Sequence, residues 1–162
     1  MKTILNIISV LVVGAGLVLS STATAQALRD VSNYNNMQGD VALLGYDPVS
    51  YFKEGGEKPT LGDKSIALNY MGINYHFANL KNLETFKLNA NKYEPTYGGY
   101  CAYAMAKGAK ITIDPLVYTI HGNRAHFFVS KRAKAFFDAD VMGFEKLADG
   151  FWKMISGEEP RL

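Results

Sequence analysis

The sequence predicts an α+β fold in which short antiparallel β-hairpins pack with about four helices. Apolar side chains alternate over residues 65–77 around a Met-Gly pair, which is the pattern of two strands joined by a tight turn. A comparable pattern of strand, turn, strand and helix follows over residues 117–139. Residues 141–155 carry apolar side chains at intervals of three and four, a spacing typical of an amphipathic helix.

The N-terminal residues have the features of a secretory signal peptide. Lys2 precedes an apolar run of 16 residues from Ile4 to Leu19, and a small-residue cleavage motif ends at Ala25. The run is shorter than the roughly 20 residues of a typical transmembrane helix, which favours cleavage over a retained membrane anchor. We therefore expect export to the periplasm, with the mature chain beginning at Gln26 and no membrane association after cleavage.

The expected organisation has four parts. A signal peptide over residues 1–25 is followed by a polar lead-in segment over residues 26–44. Residues 45–156 have the length and apolar content of one domain with its own hydrophobic core. Residues 157–162 are predicted to be a C-terminal tail.

Turns and one short strand are predicted before the first hairpin. Asp47-Pro48 predicts a turn, and Tyr51-Phe52 predicts a short strand after it. Glycines and a proline over residues 55–62 then predict a loop. After the hairpin, Asn79 can cap a helix that runs to about Asn89.

A further helix is predicted between the two hairpins. Pro95 and Gly98-Gly99 mark a turn, and the alanine-rich stretch over residues 100–107 predicts a helix that ends at Gly108. Gly122-Asn123 then predicts the turn of the second hairpin.

Two parts of the chain echo each other in sequence. The residues DPVSY at 47–51 are similar to DPLVY at 114–118, and HFANLKNLETF at 76–86 is similar to HFFVSKRAKAF at 126–136. A weak internal duplication and chance similarity both explain these matches. A duplication would pack two copies of a strand–helix unit around a shared core.

Composition and charge exclude some partners. The chain has 17 basic and 15 acidic residues, and removal of Lys2 with the signal peptide leaves 16 basic residues. Because the charges alternate along the chain and nearly balance, nothing favours nucleic acid or an anionic membrane as a partner. The 10 tyrosines suit half-buried sheets and pockets, since each offers an apolar ring and a hydroxyl group.

The single cysteine, Cys101, raises the main question about function. One cysteine forms no internal disulfide, so the thiol can be buried, reactive, a metal ligand or half of an intermolecular disulfide. In the first turn of a helix, unpaired N–H groups would stabilise its thiolate and lower the pKa of the thiol. Buried free cysteines also behave as small apolar residues, and the alanines around Cys101 fit that interpretation equally well.

The three histidines, His76, His121 and His126, are candidate metal ligands without a recognised spacing. Thiolate and imidazole are preferred ligands of copper and zinc, so Cys101 with one or more histidines would suit either ion. Cys101 and His76 could also form a nucleophile–base pair, although no third orienting residue is identifiable. The sequence has no GxSxG motif, phosphate-binding glycine loop, dinucleotide fingerprint or haem attachment motif.

The stretch from Gly45 to Trp152 resembles the exported YHS-domain proteins. Three motifs carry the resemblance: Y-x-G-x-x-Y-x-F at 70–77, F-x-x-N-x-x-K-Y at 86–93 and P-x-Y-G-G-Y-C-A at 95–102. The resemblance implies a core of hairpins and helices of the YHS, treble-clef-like type, a class associated with metal-binding modules. It does not imply an established activity.

The chain departs from the metal-associated type of this family at two places. That type has cysteines after its Asp-Pro and after its Y-x-F, where this chain has Val49-Ser50 and Ala78. The departures remove the usual thiolate ligands. The exported branch keeps the Gly-Gly-Tyr-Cys-Ala stretch, which this chain has at residues 98–102.

The leading hypothesis is a small exported binding module that takes a copper or zinc ion. Cys101 would supply a thiolate and His76 an imidazole, while Tyr75, Tyr97 and Tyr100 would line the surrounding pocket. The alternative is a non-enzymatic structural or protein-interaction module with Cys101 in its core. A thiol-dependent enzyme is the less favoured hypothesis, and no catalytic residue is assigned.

Overall fold

The computed structural model describes residues 29–35 and 41–161. These residues form a mixed α and β fold with two separate two-stranded antiparallel sheets and five helices. The α+β class and the antiparallel hairpins are therefore confirmed. The expected signal peptide, residues 1–25, lies outside the described residues. Among the described residues, no helix has the length and apolar character needed to cross a membrane.

The first hairpin forms where the alternating pattern predicts it. Strand β1 (Asp63–Tyr70) pairs with β2 (Ile73–Phe77) across a two-residue turn. Both turn residues, Met71 and Gly72, have left-handed backbones with φ of 51° and 88°, the geometry that matches the twist of a tight hairpin. Alternate residues of β2 are buried, so one face of the hairpin covers the core.

Helices follow the first hairpin directly. Helix α1 (Leu80–Leu88) begins after Asn79, whose side-chain oxygen accepts a hydrogen bond from the Asn82 N–H at 2.9 Å, which confirms the predicted cap. The one-turn helices α2 (Ala90–Tyr93) and α3 (Ala102–Met105) come next.

The second hairpin pairs β3 (Asp114–His121) with β4 (Arg124–Phe128). Helix α4 (Lys131–Asp138) follows, and after it comes α5 (Val141–Ser156), the longest helix among the described residues. The predictions of a second hairpin, a helix after it and a final amphipathic helix are thus confirmed.

The residues after Asp47 form a 3₁₀ turn, Pro48–Tyr51, so the predicted strand at Tyr51-Phe52 is wrong. The Asp47 carboxylate accepts the N–H of Val49 at 2.8 Å, and proline at the first position of the turn pre-sets its backbone. Because the residues of this turn make their hydrogen bonds within the turn, they do not pair as a strand.

The second hairpin and its helix repeat the first with the same register. In each hairpin an aspartate at the start of the long strand pairs with the last phenylalanine of the short strand, and a bulge separates that pair from the rest of the ladder. Corresponding positions are 51 residues apart, as for Asp63 and Asp114 (114 − 63 = 51). The helix caps Asn79 and Ser130 keep this spacing and share a φ of −162°.

The equivalence extends to the segment before each hairpin, with a spacing of 54 residues. Leu44-Gly45 and Gly98-Gly99 each place two successive residues in the left-handed region, with φ of 55° and 84° and of 59° and 84°. Two positions further on, Asp47 caps the 3₁₀ turn and Cys101 precedes α3 (101 − 47 = 54). Cys101 therefore occupies the position that corresponds to Asp47.

Residues 41–94 are called the first unit below, and residues 95–145 the second unit. The spacing falls from 54 to 51 between the turn and the hairpin, so the connecting segment is three residues shorter in the second unit. The connecting segments are residues 52–59 and 106–110. Hydrogen bonds close both in the same way: the Asp47 N–H donates to the Thr60 carbonyl and the Cys101 N–H to the Ile111 carbonyl, each at 2.9 Å.

The strand register aligns the two units differently from the sequence matches, which pair His76 with His126. At a spacing of 51, His126 corresponds to Tyr75, and His76 to Phe127. Each unit has a fully buried phenylalanine at the corresponding helix position, Phe86 on α1 and Phe137 on α4. Aromatic neighbours surround these two rings: Tyr70, Tyr75, Phe77 and Tyr93 in the first unit, and His126, Phe128 and Phe144 in the second.

Candidate functional site: an apolar groove above Cys101

Cys101 is held between the connecting segment and β4 of the second unit. Its residue surface is 0% exposed, and its side chain makes no capping hydrogen bond to α3. Its N–H donates to the Ile111 carbonyl, and an isolated bridge joins its backbone to Phe127. These two backbone contacts, to Ile111 and Phe127, fix the position of Cys101.

The corresponding position in the first unit holds a fully hydrogen-bonded carboxylate. Asp47 is 0% exposed, and its Oδ1 accepts the Val49 N–H at 2.8 Å. Its Oδ2 accepts the Ala78 N–H at 2.8 Å and a proton of the Asn82 side chain at 2.6 Å. Three donors satisfy the buried charge, as a buried carboxylate requires.

The second unit lacks one of these donors. At the spacing of 51, Ala133 stands where the first unit has Asn82. A carboxylate at position 101 would lose its side-chain donor, whereas an uncharged thiol needs none. A thiol in this position is therefore compatible with simple burial.

A groove opens above Cys101 on the surface of the second unit, with a volume of about 330 Å³. We call it the Cys101 groove. Its walls come from α3, the connecting segment, the end of β4 and α4. The lining residues are Cys101, Tyr103, Ala104, Lys107, Ala109, Ile111, Val129, Ser130, Arg132, Ala133 and Phe136.

Apolar side chains in the Cys101 groove remain exposed to solvent. Ile111, Val129 and Phe136 are 42%, 44% and 45% exposed. Their counterparts in the first unit are smaller or polar: Thr60, Ala78 and Thr85. The second unit therefore carries larger apolar side chains at an open surface where the first unit does not.

The longer connecting segment of the first unit folds back on the turn that precedes it. The Lys58 N–H donates to the Ser50 carbonyl at 2.9 Å, and Lys92 forms an ion pair with Glu54 at 2.6 Å. In the second unit the short segment turns at Gly108, with φ of 77°, and stays on α3. The segment beside the Cys101 groove is therefore three residues shorter than its counterpart in the first unit.

Two cations border the Cys101 groove. The Lys107 ammonium lies 5.6 Å from the ring centre of Tyr103 and 5.2 Å from that of Phe144. The Arg132 guanidinium lies 5.5 Å from the ring centre of Phe136. Neither cation forms an ion pair with a described residue, and no aspartate or glutamate is among the described lining residues. The rim is positively charged.

His76 lies at a different cavity, in the first unit. That cavity has a volume of about 390 Å³ and is lined by Val41, Leu44, Gly45, Leu61, Gly62, Lys64 and His76. It shares no lining residue with the Cys101 groove. Cys101 and His76 therefore line two different cavities, one in each unit. Within residues 29–35 and 41–161, no group of three or more His, Cys, Asp or Glu residues is arranged to hold a metal ion.

The three tyrosines proposed as pocket residues lie in other surroundings. Tyr75 is fully buried and donates its hydroxyl to Glu94 at 2.7 Å. Tyr97 is buried and donates to Asp149 at 2.8 Å. Tyr100 is half-buried beneath the Lys110 ammonium. None of the three is among the lining residues of the Cys101 groove or of the cavity at His76.

Two histidines and a glutamate form a cluster that connects the second hairpin to α5. Sequence reasoning named the histidines but did not identify the cluster. One carboxylate oxygen of Glu145 lies 2.7 Å from Nε2 of His126 and 3.0 Å from Nδ1 of His121. Burial lowers the pKa of His126 and outweighs the opposing effect of Glu145. Burial would raise the pKa of Glu145, but the two histidine hydrogen bonds and Arg124 lower it to about 2.

A second contact joins the same elements. Arg124 donates to Asp149 at 2.5 Å and to the Tyr97 hydroxyl oxygen at 3.2 Å. The first unit has a counterpart at the spacing of 51, where Tyr75 and Glu94 stand in place of His126 and Glu145. Since both pairs bind a hairpin to the residues that follow it, we assign them a packing role.

The lead-in segment is bound to the first of these pairs. Arg29 donates two hydrogen bonds to Glu94, at 2.6 and 2.9 Å, and both side chains are almost fully buried. Arg161, from the other end of the chain, lies 3.0 Å from the same carboxylate. The two ends of the described chain therefore meet at Glu94.

No family model, curated protein or solved structure matches this chain.

Proposed function

We propose that this protein is a small, exported, non-enzymatic binding module and that the Cys101 groove is its ligand site. The resemblance to exported YHS-domain proteins supports the module and its export, and a YHS, treble-clef-like core is part of the proposal. One observation carries the site: the second unit has an open groove lined by half-exposed isoleucine, valine and phenylalanine, where the first unit has threonine, alanine and threonine.

An open apolar groove supports a binding role on energetic grounds. Full burial of a side chain such as isoleucine, valine or phenylalanine stabilises a structure by about 1.5–3 kcal/mol. Ile111, Val129 and Phe136 leave nearly half of their surface in water. A ligand that covers them would gain that free energy, which the protein alone does not use.

Cys101 forms the floor of the proposed site. It is buried and has no imidazole or carboxylate beside it among the lining residues. A nucleophilic cysteine needs a neighbouring base or a lowered pKa. The surroundings of this thiol instead favour a small apolar contact, which supports the non-enzymatic form of the proposal.

An uncharged fluorescent probe tests the site. N-phenyl-1-naphthylamine should bind the secreted, purified protein saturably, with enhanced fluorescence. The double variant Ile111→Thr with Phe136→Thr installs the residue types of the first unit and should weaken binding at least about tenfold. The control variant Leu88→Thr with Leu116→Thr removes apolar surface that is 88% and 58% exposed elsewhere and should leave binding unchanged. Equal binding by both double variants would contradict the proposal.

The hypothesis of a copper or zinc ion held jointly by Cys101 and His76 makes a different prediction. It requires the two side chains to meet, although they line separate cavities. Metal content of the purified protein, beside Cys101→Ser and His76→Ala, distinguishes the two. Near-stoichiometric copper or zinc that is lost in both variants would favour the metal site, whereas metal content independent of both residues would contradict it.

A further inference from the structure

We infer that the ligand of the Cys101 groove is a small amphipathic anion, with an apolar body and one carboxylate head. The inference rests on the proposed function and specifies its ligand class. The body would lie on Ile111, Val129 and Phe136, and the head would lie at the rim near Lys107 and Arg132.

The size of the groove favours a small molecule over a protein segment. Its volume of about 330 Å³ is at the lower end of the range of roughly 300–1,000 Å³ for small-molecule sites. A stable protein partner buries about 800 Å² on each side, which a groove of this size supplies only in part. We therefore assign the site to a free small molecule.

The charge of the rim favours a negative head group. Lys107 and Arg132 border the groove, and the described lining residues include no carboxylate to neutralise them. An apolar molecule without a charge would leave both cations unused, and a cationic one would be repelled. A carboxylate accepts hydrogen bonds from both ammonium and guanidinium groups.

The two cations are already positioned by aromatic rings. Lys107 lies over Tyr103 and Phe144, and Arg132 lies over Phe136. Attraction to the ring faces restricts both side chains before a ligand arrives. Less conformational freedom is then lost when a carboxylate binds.

The start of α4 adds further donors at the same rim. Ser130 caps α4, and its hydroxyl oxygen accepts the Ala133 N–H at 3.2 Å. The hydroxyl can donate its proton to a carboxylate at the same time. The N-terminal end of a helix also carries partial positive charge, which favours an anion there.

The first unit provides a matched control for the two charges. Lys53 and Lys81 correspond to Lys107 and Arg132 at the spacings of 54 and 51. Both are exposed cations, and neither lines the Cys101 groove. Removal of these two charges changes the net charge equally without changing the Cys101 groove.

The test compares three ligands with the same ten-carbon tail: decanoate, decanol and decyltrimethylammonium, each below its micellar concentration. Displacement of N-phenyl-1-naphthylamine gives their affinities at pH 7.5. We expect decanoate to bind most tightly. The variant Lys107→Gln with Arg132→Gln should weaken decanoate about three- to thirty-fold and leave decanol unchanged. The control Lys53→Gln with Lys81→Gln should change neither.

The outcomes separate this inference from the proposed function. Equal affinities for decanoate and decanol, both lost in the Ile111→Thr, Phe136→Thr variant, would overturn the anionic head group and leave the groove as the ligand site. An equal loss of decanoate in both charge variants would also overturn it, since net charge would then explain the effect. No displacement by any of the three ligands and no probe binding would overturn both proposals.

Discussion

Cys101 in the second unit stands at the position of Asp47 in the first, and the two residues have opposite chemistry. Asp47 is a buried carboxylate with three hydrogen-bond donors, and Cys101 is a buried thiol with a neighbouring alanine in place of the asparagine donor. This difference between Asp47 and Cys101 is part of a wider difference between the two units. The first has Thr60, Ala78 and Thr85 at this place, while the second has the larger apolar side chains of Ile111, Val129 and Phe136.

Exchange of the two chemistries tests the equivalence. Cys101→Asp should lower the free energy of unfolding by about 3 kcal/mol or more, because a buried carboxylate with too few donors is costly. Adding Ala133→Asn supplies the amide that Asn82 provides in the first unit and should recover about 1–2 kcal/mol. Urea denaturation measures both values.

The matched control is Ala133→Asn alone. Without a carboxylate to accept its proton, the new amide in a buried position should destabilise the protein. If the costs of Cys101→Asp and Ala133→Asn simply add in the double variant, positions 47 and 101 are not chemically equivalent.

His126 should make the stability depend on pH. Its pKa is lowered from the ordinary value of 6.5 by burial, so the unfolded chain binds its proton at a higher pH than the folded protein. Stability should therefore be full above pH 6.5 and should fall as the pH drops below that value. The melting temperature, followed by circular dichroism between pH 7.5 and 5, measures the effect.

Substitution of the two histidines isolates the source of that dependence. His126→Gln should flatten the pH dependence between pH 7.5 and 5, while the exposed His121→Gln should change it less. Glu145 adds a second loss at lower pH, as its carboxylate is protonated between the ordinary value of 4.5 and its pKa of about 2. An unchanged pH profile in His126→Gln would show that another group controls it.

Glu94 should be among the most sensitive positions for stability. Glu94→Gln removes the buried carboxylate that Arg29 and Arg161 share, leaves Glu158 as their remaining ion-pair partner, and should cost about 3–5 kcal/mol. The exposed Glu84→Gln, which removes a surface ion pair with Lys87, should cost less than about 1 kcal/mol. Chemical denaturation gives both values, and similar costs would disprove the structural role of Glu94.

The thiol of Cys101 should react slowly in the folded protein. Because it is 0% exposed, alkylation by iodoacetamide should be at least about tenfold slower than in urea-unfolded protein. Mass spectrometry follows the single adduct. Native alkylation as fast as that of the unfolded chain would contradict the burial and would support a reactive thiol.

The sequence predicts the elements of this fold well and the site poorly. Period-two patterns, tight-turn residues and capping residues are local signals, so both hairpins and α1, α4 and α5 follow from them. The error at Tyr51-Phe52 has a local cause too: a proline after a capping aspartate favours a 3₁₀ turn over a strand.

The Cys101 groove depends on non-local information. Its walls come from α3, a connecting segment and α4, which the chain brings together only in the folded structure. Sequence reasoning selected Cys101 from its motif but paired it with His76, which lies in the other unit. The alignment of the units at a spacing of 51 requires the strand register, which the sequence alone did not provide.

The most direct measurement of the central claim is a methyl-resolved NMR titration of the purified protein with decanoate. The groove predicts that shift changes concentrate on Ile111, Val129 and Ala133. The methyl groups of Val41, Leu44 and Leu61, at the cavity of His76, should stay unchanged. Shift changes confined to Val41, Leu44 and Leu61, with none in the Cys101 groove, would contradict the account.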